Sequence, residues 1–272
     1  MSEHPVVACY GGLASARAVQ LGALLSAATH APLVIASAYR YEPVGLSARA
    51  VPAPGNERRA AAAHAALRNA RALVGPDVEV REEVVAAAGI PEALIALATD
   101  LEADMLVVGR DADGHVTRAL VPRAPCPVAV APLSVALPAD GRVRCIGVAY
   151  DGSPTAQNAL LVATGLARSM DARLVLLSAG PTTEHSSTWL QIARLSVGHR
   201  IEVESRALAG DAAQALTQAS GDVDLLVCGS RGRGRPLAML LGSVSAHLAA
   251  HAGCPVLVAP PSPGGLRRLR AA

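Results

Sequence analysis

A glycine-spaced segment near the C-terminus carries residues suited to binding an anion. Gly229 and Gly232 are separated by two residues, and the pair Gly242-Ser243 follows after nine more. Glycines let backbone N–H groups approach a phosphate closely, because no Cβ stands in the way. A helix beginning at Ser243 would add free N–H groups and the positive end of its dipole. The spacing therefore predicts a phosphate-binding loop.

This loop differs from the two commonest phosphate loops. The Gly-Lys-Ser/Thr loop is excluded because the chain contains no lysine, and the Gly-x-Gly-x-x-Gly fingerprint fails at Leu237. Arg231 and Arg233 lie inside the segment, where a guanidinium can fork onto phosphate oxygens. The alternative is a basic surface loop closed by a capped helix, and we prefer that solvated role for Arg235. The position directly after the apolar run 224–228 favours binding.

The elements that must position this loop occur twice in the chain. Three segments of the first half recur in the same order in the second, which indicates tandem copies of one fold. The matched pairs are 6–12 with 147–153, 104–110 with 224–230, and 126–132 with 254–260. We expect domains at residues 1–135 and 143–261, joined through 133–143 and followed by a disordered basic tail at 262–272.

Each copy alternates short apolar runs with amphipathic or alanine-rich stretches. This pattern predicts an α/β fold of two tandem doubly wound domains, each a Rossmann-like five-stranded parallel sheet with helices on both faces. The predicted strands are 6–9, 33–38, 78–84, 105–108, 128–131, 145–149, 173–178, 201–207, 224–228 and 255–259. In the second copy the predicted helices are 154–170, 187–197, 211–219 and 243–251.

The second copy resembles an ATP-binding universal stress protein (UspA-type) domain. The resemblance rests on Val148–Ser153, the Gly229–Ser243 loop and Cys254–Val258, and it spans residues 143–260. It implies an adenine nucleotide alpha hydrolase-like fold that binds ATP at the carboxyl edge of the sheet, with Mg or Mn bridging the phosphates. The implied nucleotide-binding residues are Ala149, Asp151, Ser153, Ala179, Gly229, Arg231, Gly232, Arg233, Gly242, Ser243, Val244 and Ser245.

Asp151 and Ala179 would meet the adenosine part of the nucleotide. A carboxylate at Asp151 can accept hydrogen bonds from ribose hydroxyls or an adenine amine. Its alternative role is that of a turn residue, because Asp-Gly is common turn chemistry. Ala179 would offer backbone contacts to the base, although the resembling family has valine there. Ser153 followed by Pro154 also reads as a helix start.

The first copy departs from the nucleotide-binding pattern. Between its matched glycine and cysteine it has sixteen residues, where the second copy has twenty-four, so most of the phosphate loop is missing. Asp111 and Asp113 would repel a triphosphate. Tyr10 stands where the alignment puts Asp151. We therefore predict that only the second copy binds ATP.

Composition limits the other classes of function. A formal net charge of +2 and 2% aromatic residues argue against nucleic-acid binding. Neither a signal peptide nor an apolar run of about twenty residues is present, which predicts a cytoplasmic protein without membrane contact. The five cysteines form no Cys-x-x-Cys pair and are expected to be buried and reduced. His247 and His251 could ligate a metal but lack a third ligand, so solvated histidines are preferred.

The resemblance implies a nucleotide-binding regulatory protein of the stress-response type, with no catalytic residues and at most slow ATP hydrolysis. One alternative is an ATP hydrolase or adenylyl-transfer enzyme on the same fold. Another is an interaction scaffold that binds no nucleotide. The last strands of the two copies, 128–131 and 256–259, would leave open sheet edges unless they pair. We expect them to pair antiparallel within one chain as a pseudo-dimer, and a homodimer of chains is a further possibility.

Overall fold

A computed structural model describes most of the chain. The described residues are 4–11, 15–44, 51–52, 55–75, 78–110, 114–133, 137–138, 140–180, 183–198, 200–230 and 242–260. Arg231, Gly232 and Arg233 of the predicted phosphate loop lie outside them. The same holds for Asp111, Asp113 and the predicted tail 262–272.

The first half of the chain forms seven strands and four helices within the described residues. They are β1 (Val6–Cys9), α1 (Ala16–Thr29), β2 (Leu33–Arg40), β3 (Pro43–Val44), β4 (Val51–Pro52), α2 (Asn56–Arg71), β5 (Val80–Ala87), α3 (Ile90–Asp100), β6 (Met105–Gly109), α4 (His115–Leu120) and β7 (Val128–Ala131). The short strands β3 and β4 pair with each other in a separate two-stranded sheet that the sequence did not predict.

The second half repeats the alternation of strands and helices. Its elements are β8 (Cys145–Ala149), α5 (Pro154–Met170), β9 (Arg173–Gly180), α6 (Thr183–Val197), β10 (Val203–Ala209), α7 (Ala212–Ala219), β11 (Leu225–Gly229), α8 (Ser243–His251) and β12 (Val256–Ala259). Helix α5 begins as predicted, because Ser153 Oγ accepts a hydrogen bond from Ala156 N at 3.2 Å and Pro154 occupies the first helical position.

The two predicted five-stranded sheets join into one sheet of ten strands. Its strand order is β10-β9-β8-β11-β12-β7-β6-β1-β2-β5. Neighbouring strands run parallel except at the centre, where β12 pairs antiparallel with β7 and Leu257 lies opposite Ala129. This confirms the predicted pairing of the last strands within one chain, and it leaves neither of them at an open edge.

Both faces of the sheet are covered by helices, and both cores run across the junction of the two copies. One core contains Ala129 and Leu257 beneath α1, α2, α5 and α6. The other contains Val128, Val130 and Val256 beneath α3, α4, α7 and α8. This division follows from the alternation of side chains along each strand. The two copies therefore share their buried apolar surface.

The structure corrects one part of the sequence alignment. Tyr10 N donates to Ala36 O and Tyr150 N donates to Leu177 O, both at 2.8 Å, so these two buried tyrosines are equivalent. The residue in the place of Asp151 is therefore Gly11, and the earlier match of Tyr10 with Asp151 is wrong by one residue. Aligning the two copies on their glycines gives the wrong match, whereas the strand register gives the true correspondence.

Candidate functional site

The second copy has the reversal of strand order at which open α/β sheets usually bind ligands. Its strands lie in the order β10-β9-β8-β11-β12, so the chain passes from β8 to β9 on one side and returns to β11 on the other. The carboxyl ends on either side of such a reversal form the usual ligand crevice. The turn after β8, Ala179 in β9 and the start of the predicted phosphate loop after β11 share this edge.

The turn that follows β8 is tightly built. Asp151 Oδ1 accepts a hydrogen bond from Ser153 N at 3.0 Å, and Gly152 has φ +74°. A Cβ at Gly152 would overlap the indole ring of Trp189, so the ring packs directly on the turn. The hydrogen bond agrees with a turn role for Asp151. It also holds the half-buried carboxylate group at the edge of the crevice.

Gly229 allows the end of β11 to approach the first turn of α5. A Cβ on this glycine would lie 2.6 Å from Thr155 Oγ1 and 2.7 Å from the Thr155 carbonyl carbon. Ser153 Oγ and Thr155 Oγ1 lie 3.3 Å apart at the same place. Gly229 thus has a packing role, whereas the sequence analysis singled it out for the close approach of a phosphate.

The base of the predicted phosphate loop is closed by hydrogen bonds. Gly242 N donates to Ser230 O at 2.8 Å, and Ser230 N donates to Ala259 O at 3.0 Å. The buried Ser245 hydroxyl lies 3.1 Å from both Ser230 O and Gly242 O. Its proton is therefore engaged within the loop base. Ser245, one of the residues implied by the resemblance, lies in the first turn of α8, where its backbone N–H rather than its hydroxyl is available to a ligand.

Ser230 is the residue of this site that the sequence analysis missed. Its side chain is fully buried, and its Oγ has no hydrogen-bond partner among the described residues. A buried hydroxyl without a partner is costly, so it marks a place where a partner is to be expected. Only its position between Gly229 and Arg231 could have drawn attention to it in the sequence.

The helix that leaves the loop also has unfilled hydrogen-bonding capacity. Helix α8 starts after Gly242, and no side chain within the described residues caps its first turn. In contrast, Ser153 caps α5 and Asp211 caps α7. Ser243 is exposed and Val244 is half-buried, so the start of α8 is accessible. Ala149 and Ala179, at the other predicted contacts, are also half-buried.

Comparison with known proteins decides the family. The model of the universal stress protein family matches residues 2–132 and 184–260. The chain belongs to this family. A universal stress protein of Mycobacterium tuberculosis is 32% identical over 221 residues, which cover 71% of this chain and 74% of the relative.

Two further relatives extend this comparison. A Thermus aquaticus universal stress protein is 35% identical over 133 residues, 42% of this chain and 97% of that protein. The crystal structure of a universal stress protein from Archaeoglobus fulgidus superposes with a TM-score of 0.72 at 14% identity, covering 95% of this chain and 97% of the other. This last likeness supports the tandem α/β fold.

The first copy of this universal stress protein has a different residue at the matched loop position. Arg110 follows β6 as Ser230 follows β11, and its backbone N donates to Ala131 O at 2.9 Å. Its guanidinium reaches across to α8, and burial lowers the pKa of this group. Helix α4, which follows, has only six residues.

The described residues of this universal stress protein contain no group of three or more His, Cys, Asp or Glu side chains that could hold a metal ion. The rings of His247 and His251 stack 4.3 Å apart. The cysteines are free thiols, four of them buried as expected and Cys9 only half-buried. Burial raises the pKa of Cys126, Cys228 and Cys254 to about 12. Within the described ranges, none of the helices has the length and apolarity needed to cross a bilayer.

Proposed function

We propose that this universal stress protein binds one ATP per chain, in the crevice of its second copy, as a regulatory ligand in a stress response. The observation that carries the proposal is the buried Ser230 hydroxyl, which has no hydrogen-bond partner among the described residues and lies beside the start of α8, where no described side chain forms a cap. Phosphate oxygens are strong acceptors, and they would satisfy both the hydroxyl and the first N–H groups of the helix.

The phosphates would lie at the loop base. Gly242, Ser243 and Val244 would donate their backbone N–H groups, and Ser230 would donate its hydroxyl. Arg231 and Arg233, both outside the described residues, would add charge from the loop. A Mg or Mn ion would be held mainly by phosphate oxygens, and it would offset their negative charge.

The adenosine part would lie toward β8 and β9. Asp151 would accept hydrogen bonds from the ribose or the adenine amine, while the half-buried Ala149 and Ala179 would offer backbone groups and a small apolar surface. Ser153 would act indirectly, because its hydroxyl caps α5 and its backbone N–H holds Asp151.

The first copy would remain empty of ATP. Gly11 provides no carboxylate where the second copy has Asp151, and Arg110 replaces Ser230 with a side chain that is engaged at α8. This copy would act as a scaffold whose sheet and cores are continuous with those of the second.

The proposal can be tested through the single tryptophan of the chain. Trp189 packs on the Gly152 turn, so its fluorescence should change in a saturable manner when ATP is added to the purified protein. Asp151→Asn keeps an acceptor for Ser153 N but removes the charge, and it should weaken ATP binding about tenfold. The matched control is Asp211→Asn, which alters the cap of α7 and should bind ATP like the parent.

Absence of a saturable change, combined with no ATP-dependent rise in melting temperature, would reject the proposal in favour of a scaffold that binds no nucleotide. Phosphate release measured in the same mixtures separates a ligand from a substrate. A regulatory ligand should be released intact or hydrolysed only slowly, whereas rapid turnover would favour the enzyme alternative.

A further inference from the structure

Arg110 links the first copy to the helix that begins at the proposed phosphate site. Its backbone is fixed at the end of β6 by the hydrogen bond from Arg110 N to Ala131 O. Its side chain crosses to the second copy, where Nε donates to Ala249 O at 3.1 Å and Nη2 donates to Ala252 O at 2.9 Å. One planar guanidinium thus holds two carbonyls at the end of α8.

The end of α8 needs such partners. The last carbonyls of a helix have no partner within it, and a positive charge there also interacts favourably with the helix dipole. The fork of an arginine can serve two carbonyls at once, which a lysine cannot do in the same way. A second anchor comes from within the second copy, where Gly253 N donates to Ser220 Oγ at 2.8 Å. The charged anchor is the one supplied by the first copy.

Helix α8 is short enough to carry a change from one end to the other. It has nine residues, so its axis is about 13 Å long. Its first turn is joined to the loop base through Gly242 and Ser245, which contact Ser230. A shift of the held end therefore displaces the N–H groups proposed to meet the phosphates.

The corresponding helix of the first copy is held differently. Arg123, which follows α4, donates from Nε to Ala119 O of that helix at 2.9 Å, and the same guanidinium pairs with Glu92 at 2.9 Å. Both partners belong to the first copy. At the matched loop position the second copy has Ser230, which offers no long cationic side chain. The link through Arg110 is thus asymmetric. It runs from the first copy, which has the shortened loop, to the second copy, which has the longer loop.

We infer that Arg110 is a positioning residue, through which the first copy sets the placement of the start of α8 and hence the affinity of the second copy for ATP. The ligand in this inference rests on the proposed function above, while the placement of α8 does not. The tandem arrangement then gives the first copy a defined role: changes at its β6 end alter the nucleotide site of the other copy.

The test compares two arginines of similar local role in the full chain. Arg110→Met keeps the apolar stem but removes the fork, and it should weaken ATP binding about tenfold in a fluorescence titration. Arg110→Lys should give an intermediate loss, because one ammonium can hold one carbonyl. Arg123→Met removes the arginine that holds the Ala119 carbonyl of α4, and it should leave the dissociation constant within twofold of the parent.

Amide hydrogen exchange without nucleotide measures the placement of α8 independently of ATP. Exchange at Ala246 and His247 should become at least fivefold faster in Arg110→Met than in the parent, and it should stay unchanged in Arg123→Met. If the parent binds no ATP, the proposed function fails, and the exchange data alone decide the role of Arg110. Equal exchange in the two variants would overturn the inference, as would an Arg110→Met protein that binds ATP like the parent. If Arg110→Met does not fold, Arg110→Lys provides the same comparison.

Discussion

Removing the Ser230 hydroxyl should leave the free protein at least as stable and yet weaken its binding of ATP. The hydroxyl is fully buried and has no partner among the described residues. An unsatisfied buried polar group costs about 1–3 kcal/mol. Alanine removes that cost and leaves only a small gap, so Ser230→Ala should raise the free energy of unfolding by up to about 1 kcal/mol. The complex should lose one hydrogen bond to phosphate. This loss corresponds to a fivefold to tenfold higher dissociation constant for ATP, or about 1–1.4 kcal/mol of binding free energy.

The neighbouring Ser245 provides a matched control. Its hydroxyl is also buried, but it lies within hydrogen-bonding distance of Ser230 O and Gly242 O. Ser245→Ala should therefore lower the free energy of unfolding by about 1 kcal/mol or more, because it removes a satisfied buried hydrogen bond. The two serine-to-alanine changes are expected to shift stability in opposite directions.

Urea denaturation without nucleotide, followed by circular dichroism, measures the stability of each variant. Thermal unfolding at several ATP concentrations then gives the affinity, because a ligand of the folded state stabilises it by RT ln(1 + [L]/Kd). A destabilisation of Ser230→Ala by more than about 1 kcal/mol would show that the hydroxyl has a strong partner in the free protein, contrary to this expectation. Parent-like ATP affinity in this variant would refute the role in binding.

Three further changes test other parts of the account. Gly152→Ala should lower the free energy of unfolding by about 2 kcal/mol or more, measured by urea denaturation, because φ is +74° and a Cβ would overlap Trp189. Gly232→Val should weaken ATP binding in the fluorescence titration without unfolding the chain. Stability should fall as pH rises above 9.0, since the unfolded chain loses thiol protons there while Cys228 keeps its own to about pH 12. Between pH 9 and 10, the fall in the free energy of unfolding, measured by urea denaturation, should be about 1 kcal/mol smaller in Cys228→Ala than in the parent.

The regular part of the fold could be predicted from local pattern. The bounds of β1, β7, β8, α5 and α8 agree with the sequence analysis, because each is a compact apolar run or a helix with a clear start. Helix α6 begins at Thr183, four residues before the predicted Ser187. The stretch from Thr183 to Ser186 is polar and resembles a loop by composition, whereas Ser186 is buried in the folded chain.

The finer features of the site could not be predicted in this way. The equivalence of Tyr10 with Tyr150 depends on strand register, and a glycine match misaligned it by one residue. The missing partner of Ser230 Oγ and the reach of Arg110 to Ala249 are properties of residues far apart in sequence. Local pattern identifies which residues could bind phosphate, but burial and hydrogen-bond partners appear only once the strands are assembled.

Calorimetric titration of this chain with ATP and Mg²⁺ shows whether the nucleotide binds and at how many sites. We expect one binding site per chain, because the second copy has Asp151, Ser230 and an α8 that no described side chain caps, while the first copy has Gly11 and an engaged Arg110. One ATP bound per chain, with binding abolished or strongly weakened in Asp151→Ala, would agree with this assignment. Two equivalent sites per chain, or the absence of any saturable heat, would contradict it.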